Sequence, residues 1–263
     1  MSDPRNDQRP RAISPTPSLR AIFRALLRAD ATVQVRNARA LLVSFVMPIV
    51  LIYALFTGKR GPALGSPDMR VASALTLGMA ALALVSYTLS IARDRERGVF
   101  QRLRATPAAA WTIMVSRLAV QVVAMLVLAL VVLLAAYVLE KFSLSLEAYF
   151  LTFVVVFLGS TLFLSVGQAL VGLIKSADTV TALSPLAFVP LVTLGLFGHS
   201  TILGTDFEMI SRWSPGGVVV ALLSGAMEPG SWSADTWWAL LASLAYSVLF
   251  AGIGIRWFRW STN

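Results

Sequence analysis

The chain has 263 residues, of which 57% are hydrophobic and 13% charged, and its formal net charge is +9. A soluble domain of this size would be much less apolar, so lipid is the expected solvent. The sequence contains no cysteine, which excludes disulfides, thiolate metal sites and a catalytic thiol. The basic residues lie between apolar runs instead of forming one basic face, so no nucleic-acid partner is expected.

Residues 1–17 contain four prolines among polar and charged residues, and this composition predicts a disordered cytoplasmic tail. Residues 18–39 are predicted to form an amphipathic interfacial helix, with Ser18 as its N-cap and an apolar face that begins at Leu19. An alternative is a helix that packs on the cytoplasmic face of its own bundle. The opposite face of this helix carries Arg20, Arg24 and Arg28.

Residues 40–263 are predicted to form a single all-α domain with six transmembrane helices. Each span is an uncharged, mainly apolar run, and at about 1.5 Å per residue each can cross roughly 30 Å of hydrocarbon. The predicted spans are residues 40–57, 71–92, 118–139, 148–174, 179–198 and 236–255.

Orientation follows from the basic residues outside the spans. Of the 22 lysines and arginines, 17 lie on the side of the N-terminus and five on the opposite side. Because cytoplasmic loops carry the excess of basic residues, both termini are predicted to be cytoplasmic. The preference for arginine over lysine, together with the abundant alanine, favours the plasma (inner) membrane of a bacterium.

Residues 213–227 form an uncharged stretch that is too short to cross the bilayer and is interrupted by Pro215, Gly216 and Gly217. We expect a re-entrant segment before the last helix. A helix lying on the membrane surface is an equal alternative.

The six spans contain no Asp, Glu, Lys or Arg, whereas ion-coupled carriers usually need an intramembrane ionisable group. The only Gly-Lys pair, Gly58-Lys59, is not part of a phosphate-binding loop, and no cluster of histidines and carboxylates has metal-ligand spacing. We therefore expect no catalytic, cofactor-binding or metal-binding residues in this chain, and energy should come from a partner.

The strongest local signal is the cytoplasmic loop from Arg93 to Pro107, which reads RDRERGVFQRLRATP. It alternates charges, turns at Gly98 and continues with apolar residues among arginines. This pattern predicts a short helix with its apolar side on the bundle and its charges free for a partner. A positively charged anchor without a partner is the alternative.

This loop resembles the type-2 family of ABC transporter permeases, in which a Glu-x-Gly-(Thr/Val)-x-x-x-Leu-(Arg/Leu)-x-(Thr/Ser)-Pro pattern follows the second span. Val99 occupies a position where threonine is commoner. The amphipathic N-terminal helix, the six spans and the broken segment before the last span also resemble that family's layout, nearest to daunorubicin-type drug-resistance permeases. The matching residues are Glu96, Gly98, Val99, Leu103, Arg104, Thr106 and Pro107.

The resemblance implies a permease that pairs with a second copy or a paralogue and with separate ABC ATPase subunits. These subunits would bind ATP-Mg, and they would dock on the loop and on the N-terminal helix. In this reading Gly98 supplies the turn and Pro107 ends the loop helix. The implied ATPase-docking (coupling-helix) residues are Arg95, Glu96, Arg97, Gly98, Arg102, Leu103, Arg104, Thr106 and Pro107.

The expected function is therefore ATP-driven export of a hydrophobic or amphipathic, drug-like compound, with membrane lipid around the chain. A lipid or glycan exporter and a non-transporting membrane anchor for a cytoplasmic partner remain open alternatives. Substrate contacts are expected from the first, second and fifth spans. Four aromatic candidates, each more often a packing residue than a ligand contact, are Tyr53, Phe56, Tyr87 and Phe197.

Overall fold

A computed structural model describes residues 18–36, 38–57, 65–104, 109–174, 176–197 and 205–257, and these residues are almost entirely helical, without a strand. The tail at residues 1–17 lies outside the described residues. The helices are α1 (Leu19–Arg36), α2 (Ala38–Thr57), α3 (Pro67–Ala80), α4 (Thr88–Glu96), α5 (Val99–Arg104), α6 (Ala110–Glu140), α7 (Leu146–Leu173), α8 (Ala177–Phe197), α9 (Thr205–Arg212), α10 (Pro215–Met227) and α11 (Ala234–Trp257).

Five helical segments are long and apolar enough to cross a membrane, which confirms an all-α polytopic membrane protein. They correspond to the second through sixth predicted spans. The first predicted span falls in α2, whose apolar stretch Ser44–Ala54 is shorter among the described residues. The spanning segments are Pro67–Glu96, Trp111–Glu140, Leu146–Leu173, Ala177–Gly195 and Ala234–Trp257.

The second span is a composite helix, because a π-helical segment, Ala81–Tyr87, joins α3 to α4 without a break. A π-helix shifts the backbone hydrogen bonds by one residue and leaves carbonyl groups in need of other partners. The amide nitrogen of Gln121 in α6 donates to the carbonyl of Leu82 at 3.0 Å, and the hydroxyl of Thr88 donates to the carbonyl of Leu84. These side chains compensate within an apolar core.

The core is built around the second span, whose residues 71–80 are all buried. This span contacts α2, α6, α7, α8 and α10, while α11 packs along α7. Gly172 and Gly254 allow this second pairing to be close, since a Cβ added at Gly172 would lie 3.1 Å from the carbonyl oxygen of Gly254. Because α4 is the last part of the second span, its charged end belongs to the most buried helix of the bundle.

The uncharged stretch at residues 213–227 contains helix α10, and the short charged helix α9 precedes it. Helix α10 has 13 residues, about 20 Å at the usual helical rise, and is therefore too short to cross the bilayer. It packs against α3, α7, α8 and α11, and ten of its residues are buried. Ser214 caps it by accepting from the amide of Gly217 at 3.0 Å. Burial on several sides favours the re-entrant prediction over a helix on the membrane surface, because irregular backbone at membrane depth needs protein cover.

Helix α1 begins where the sequence predicted, with the Ser18 hydroxyl accepting from the amide of Ala21 at 3.3 Å. It packs mainly on α6 and also touches α2, and Leu26 lies against the core. None of its residues is fully buried, and Arg20, Arg24 and Arg28 are exposed. Packing on the bundle and lying in the membrane interface are both compatible with this position.

Candidate functional site

The candidate site is the elbow at residues 97–98, where the second span ends and α5 begins. Gly98 has a φ of +66°, a left-handed conformation that favours glycine. Its amide donates to the carbonyl of Arg95 at 3.2 Å, and its own carbonyl accepts from the amide of Arg102 at 3.2 Å. The chain therefore turns at Gly98 between α4 and α5, as the sequence predicted.

Helix α5 is anchored by its apolar side. The Phe100 side chain is fully buried, and Leu103 packs against the core. The guanidinium of Arg117 in α6 lies over the Phe100 ring, 4.8 Å from its centroid, in a cation–π contact. The predicted arrangement, with the apolar side on the bundle, is the one observed.

The charged run before the elbow, residues 93–97, distributes its side chains to different partners. Asp94 accepts from Nη1 of Arg117 at 2.6 Å, and the Nε of Arg117 lies 3.7 Å from Oδ1 of Asp30 in α1. Asp30 also accepts from the hydroxyl of Ser116. Burial raises the pKa of the Asp30 carboxyl, while the Ser116 hydrogen bond and the Arg117 charge oppose that shift. Arg117 thus joins α1, α4, α5 and α6.

Arg95 points into the bundle and is 2% exposed. Its Nη1 donates to the carbonyl of Val171 at 2.9 Å, and its Nη2 donates to the carbonyl of Ile174 at 2.7 Å. The last carbonyls of a helix have no partner within the helix, and the helix dipole makes that end negative. The buried Arg95 guanidinium donates to carbonyls at the end of α7 and places a positive charge at the negative end of that helix.

Glu96 makes the complementary contact with the next helix. Its Oε1 accepts from the amide of Ala177, the first residue of α8, at 2.9 Å. The N-terminal end of a helix is positive and offers free amides, so a carboxylate is favoured there. Arg95 and Glu96 together, here called the Arg95–Glu96 clasp, tie the end of α4 to the end of α7 and the start of α8.

The remaining predicted docking residues lie at the surface or outside the described residues. Arg97 and Arg102 are exposed, and Nη2 of Arg102 donates to the carbonyl of Arg97 at 3.2 Å. Arg104 is the last residue of α5. Thr106 and Pro107 lie outside the described residues, and the docking role of all these residues stays a prediction.

A cavity of about 510 Å³ lies beside the elbow, between α1, α2, the second span and α8. Its walls are mainly apolar, with Met47, Leu89 and Phe188 among the lining residues, and Arg93 and Arg97 also line it. This volume is within the range of about 300–1,000 Å³ that is typical of sites for drug-sized ligands. The first, second and fifth spans supply its walls together with α1, and their contact with a substrate stays a prediction.

Two of the four aromatic candidates can be assessed. The Tyr87 hydroxyl donates to Oε1 of Gln168 at 2.7 Å within the bundle, which is a packing role, and Tyr53 is exposed. The Phe56 and Phe197 side chains lie outside the described residues. Sequence reasoning missed Asp30 and Arg117. A lone acid in an arginine-rich helix and an arginine at the start of a span were the available signals.

These observations define a polytopic all-α membrane protein that presents a charged elbow, braced against three helices, next to a drug-sized cavity. The family model for the ABC-2 type transporter matches residues 22–227, which include α2 to α10 and most of α1. The chain therefore belongs to the ABC-2 type transporter family and is a membrane component of an ABC transporter. A search among curated proteins found no match.

Proposed function

We propose that the chain is the permease subunit of an ATP-driven exporter that moves a hydrophobic or amphipathic, drug-like compound. Separate ATPase subunits bind ATP-Mg, and a second permease copy or a paralogue completes the path. The complex works in the plasma membrane of a bacterium, with both termini of this chain in the cytoplasm. Family membership supports the ATPase partner, and the cavity beside the elbow supports a drug-sized substrate.

This proposal rests on the difference between the exposed and the packed side chains around the elbow. Arg97 and Arg102 are exposed and available to an acidic docking surface, although Arg97 also lines the cavity, and Arg104 ends α5. Leu103 keeps α5 on the bundle, and Gly98 fixes its direction. The ATPase is proposed to dock here, with Thr106 and Pro107 completing the surface and the arginine face of α1 beside it.

Arg95 and Glu96 have a different part in the proposal. Their side chains bond to α7 and α8 within the chain, so they position the elbow and transmit its movement. When ATP binding closes the ATPase dimer, a displacement of α5 reaches α8 through the clasp. Since α8 lines the cavity through Phe188, this displacement can change access to the substrate.

The proposal is tested by co-purifying the tagged chain in mild detergent and identifying the bound ATPase by its nucleotide binding. Arg102→Ala should reduce recovery of the ATPase by about 1.4- to fivefold, since a docking ion pair contributes roughly 0.2–1 kcal/mol. Arg212→Ala is the matched control, because Arg212 is an exposed arginine on the opposite side of the membrane in the proposed orientation. Equal recovery with both variants would mean that the assigned docking site is wrong, and no ATPase with an intact folded chain would favour the non-transporting anchor.

The clasp is tested in the reconstituted complex. Glu96→Gln keeps the shape of the side chain but removes the charge at the start of α8. It should leave the ATPase bound while lowering the amount of substrate moved per ATP hydrolysed. A loss of ATPase recovery instead would mean that Glu96 contacts the ATPase directly.

A further inference from the structure

The wall that the second span contributes to the cavity changes character along its length. Ala81, Val85, Leu89 and Arg93 follow one another at intervals of four residues along this span, and Arg97 follows at the elbow. All five residues line the cavity. Three apolar positions are followed by two arginines. Over the twelve residues from Ala81 to Arg93 the helix rises about 18 Å, so the apolar part can accommodate an elongated body.

Among the described residues, Arg93 and Arg97 are also the members of the charged run whose side chains have no hydrogen bond or ion pair to another helix. Asp94 is paired with Arg117, and the Arg95–Glu96 clasp bonds to the ends of α7 and α8. Within the part of the chain that the structure describes, no carboxylate lies within ion-pair distance of Arg93 or Arg97. The cavity therefore has a cationic end, even though Asp94 is among its lining residues.

We propose that this cavity selects an amphipathic compound with one anionic head group. The head group, a carboxylate, sulfate or phosphate, binds between Arg93 and Arg97, and the apolar body lies along Val85, Leu89 and Phe188. Guanidinium groups bind such oxyanions with paired, charge-assisted hydrogen bonds. An amphipathic amine of the same size would bring a third positive charge to this end and is excluded by repulsion.

This inference rests on the proposed function, because it names the substrate class of the proposed export cavity. The apolar wall alone would accept any hydrophobic compound of suitable size. The two arginines are what distinguish an anionic amphiphile from a neutral or cationic one, and they lie at the end of the cavity next to the elbow. Movement of the elbow would therefore act directly on the head-group contacts.

The test uses the full chain, without the ATPase, in nanodiscs of zwitterionic phosphatidylcholine. The probes are a long-chain fatty acid bearing a diazirine and the corresponding long-chain amine, and cross-linked peptides are located by mass spectrometry. The fatty acid should label peptides of α2, the second span and α8 at least about fivefold more than the amine does, given roughly 1 kcal/mol for an ion pair.

Variants connect this preference to the two arginines. The double substitution Arg93→Gln with Arg97→Gln should lower fatty-acid labelling to the level of the amine. The charge reversal Arg93→Glu with Arg97→Glu should make the amine the better probe, a gain that an unfolded protein would not show. Arg36→Gln is the matched control, because Arg36 is an exposed arginine at the end of α1 that does not line the cavity.

The proposal is overturned if both probes label the cavity equally, if the substitutions leave fatty-acid labelling unchanged, or if neither probe enters because a second copy covers the site. Displacement of the fatty acid by phosphatidylglycerol added to the disc would support the proposal, since this lipid also carries one anionic head group, and would identify the bilayer as the source of the occupant. ATPase recovery is measured separately with the same variants. If labelling depends on charge but no ATPase is bound, the inference stands and the proposed function is refuted. If the ATPase is bound but labelling does not depend on charge, the proposed function stands and the inference is refuted.

Discussion

The elbow and the contact between α8 and α10 are held together by different physical means. At the elbow, ionised side chains make the contacts, namely the Arg95–Glu96 clasp and the Arg117 pairs. At the other contact, α8 meets α10 through backbone atoms. A Cβ added at Gly216 would collide with the carbonyl oxygen of Leu191, and one added at Gly195 would lie 3.3 Å from the backbone of Gly216.

The ionic contacts of the elbow can therefore rearrange more easily than the backbone contact between α8 and α10. Ionic contacts near a surface weaken with salt and can be exchanged for contacts with a partner. A backbone contact through glycine has no alternative arrangement, because any displacement opens a void or creates a clash. The ionic contacts of the elbow are thus suited to rearrange, and the glycine contact between α8 and α10 is suited to serve as a fixed point.

The largest effect is expected at the fixed point. Gly216→Ala places a methyl group against the Leu191 carbonyl oxygen and the Gly195 backbone, and neither neighbour is a flexible side chain. We expect a loss of about 3 kcal/mol in stability from overpacking, measured as a lower unfolding midpoint in detergent. Gly252→Ala is the control, because nothing lies within 4 Å of the added Cβ. Equal midpoints for the two variants would mean that α8 and α10 can separate easily.

An intermediate effect is expected at the elbow. Arg117→Met keeps an extended side chain but leaves Asp30 and Asp94 without their cation, at a cost of about 1–2 kcal/mol. Helix α1 should move away from α6. Because the chain has no cysteine, spin labels at Ala25→Cys and Val115→Cys, both exposed, report that distance without background.

The control for this experiment is Arg102→Met, which removes an exposed arginine from the same surface without touching either aspartate. It should leave the distance distribution between the labels unchanged. An unchanged distribution for Arg117→Met as well would show that apolar contacts of α1, such as those of Leu26, suffice to hold it.

The smallest effect is expected from Asp30→Asn. Burial raises the pKa of Asp30 above its ordinary value of 3.8, so the folded chain holds this proton more tightly than the unfolded chain. The resulting stabilisation is full below the unfolded pKa and is lost as the pH rises through the folded pKa. Asp30→Asn should abolish that decline while changing stability near neutral pH by less than about 1 kcal/mol.

The pH dependence is read from unfolding midpoints across the acidic range, with Asp178→Asn, an exposed carboxylate at the start of α8, as the control. If the wild-type chain and Asp30→Asn follow the same pH profile, the raised pKa has no influence on folding. The order of the three effects, from Gly216 to Arg117 to Asp30, tests the comparison itself.

The spans were predictable because an uncharged run of sufficient length has few alternatives to a membrane helix. The predicted span 148–174 and the observed Leu146–Leu173 nearly coincide. The second span continues beyond the predicted 71–92 to Pro67 and Glu96, because a helix does not end where its apolar run ends. Hydropathy marks the part of a helix in lipid, while caps and turns mark its ends.

The candidate site was only partly predictable. The turn at Gly98 and the inward apolar side of α5 follow from local pattern, and both are observed. The partners of Arg95 and Glu96 lie about 80 positions away in the sequence, and no local rule relates them. From sequence, residues 93–97 read as one exposed charged run, whereas the fold sends neighbouring side chains to opposite sides of α4.

The π-helical segment determines the direction in which the charged run at residues 93–97 faces. One extra residue in a helix turns everything downstream by about 100°, since a turn contains 3.6 residues. Removing a single residue between Ala81 and Tyr87 would rotate the elbow away from α7 and α8 while leaving the hydropathy profile almost unchanged. The direction in which the charged side chains point is thus set a few turns upstream of them, in a stretch that contains no charge.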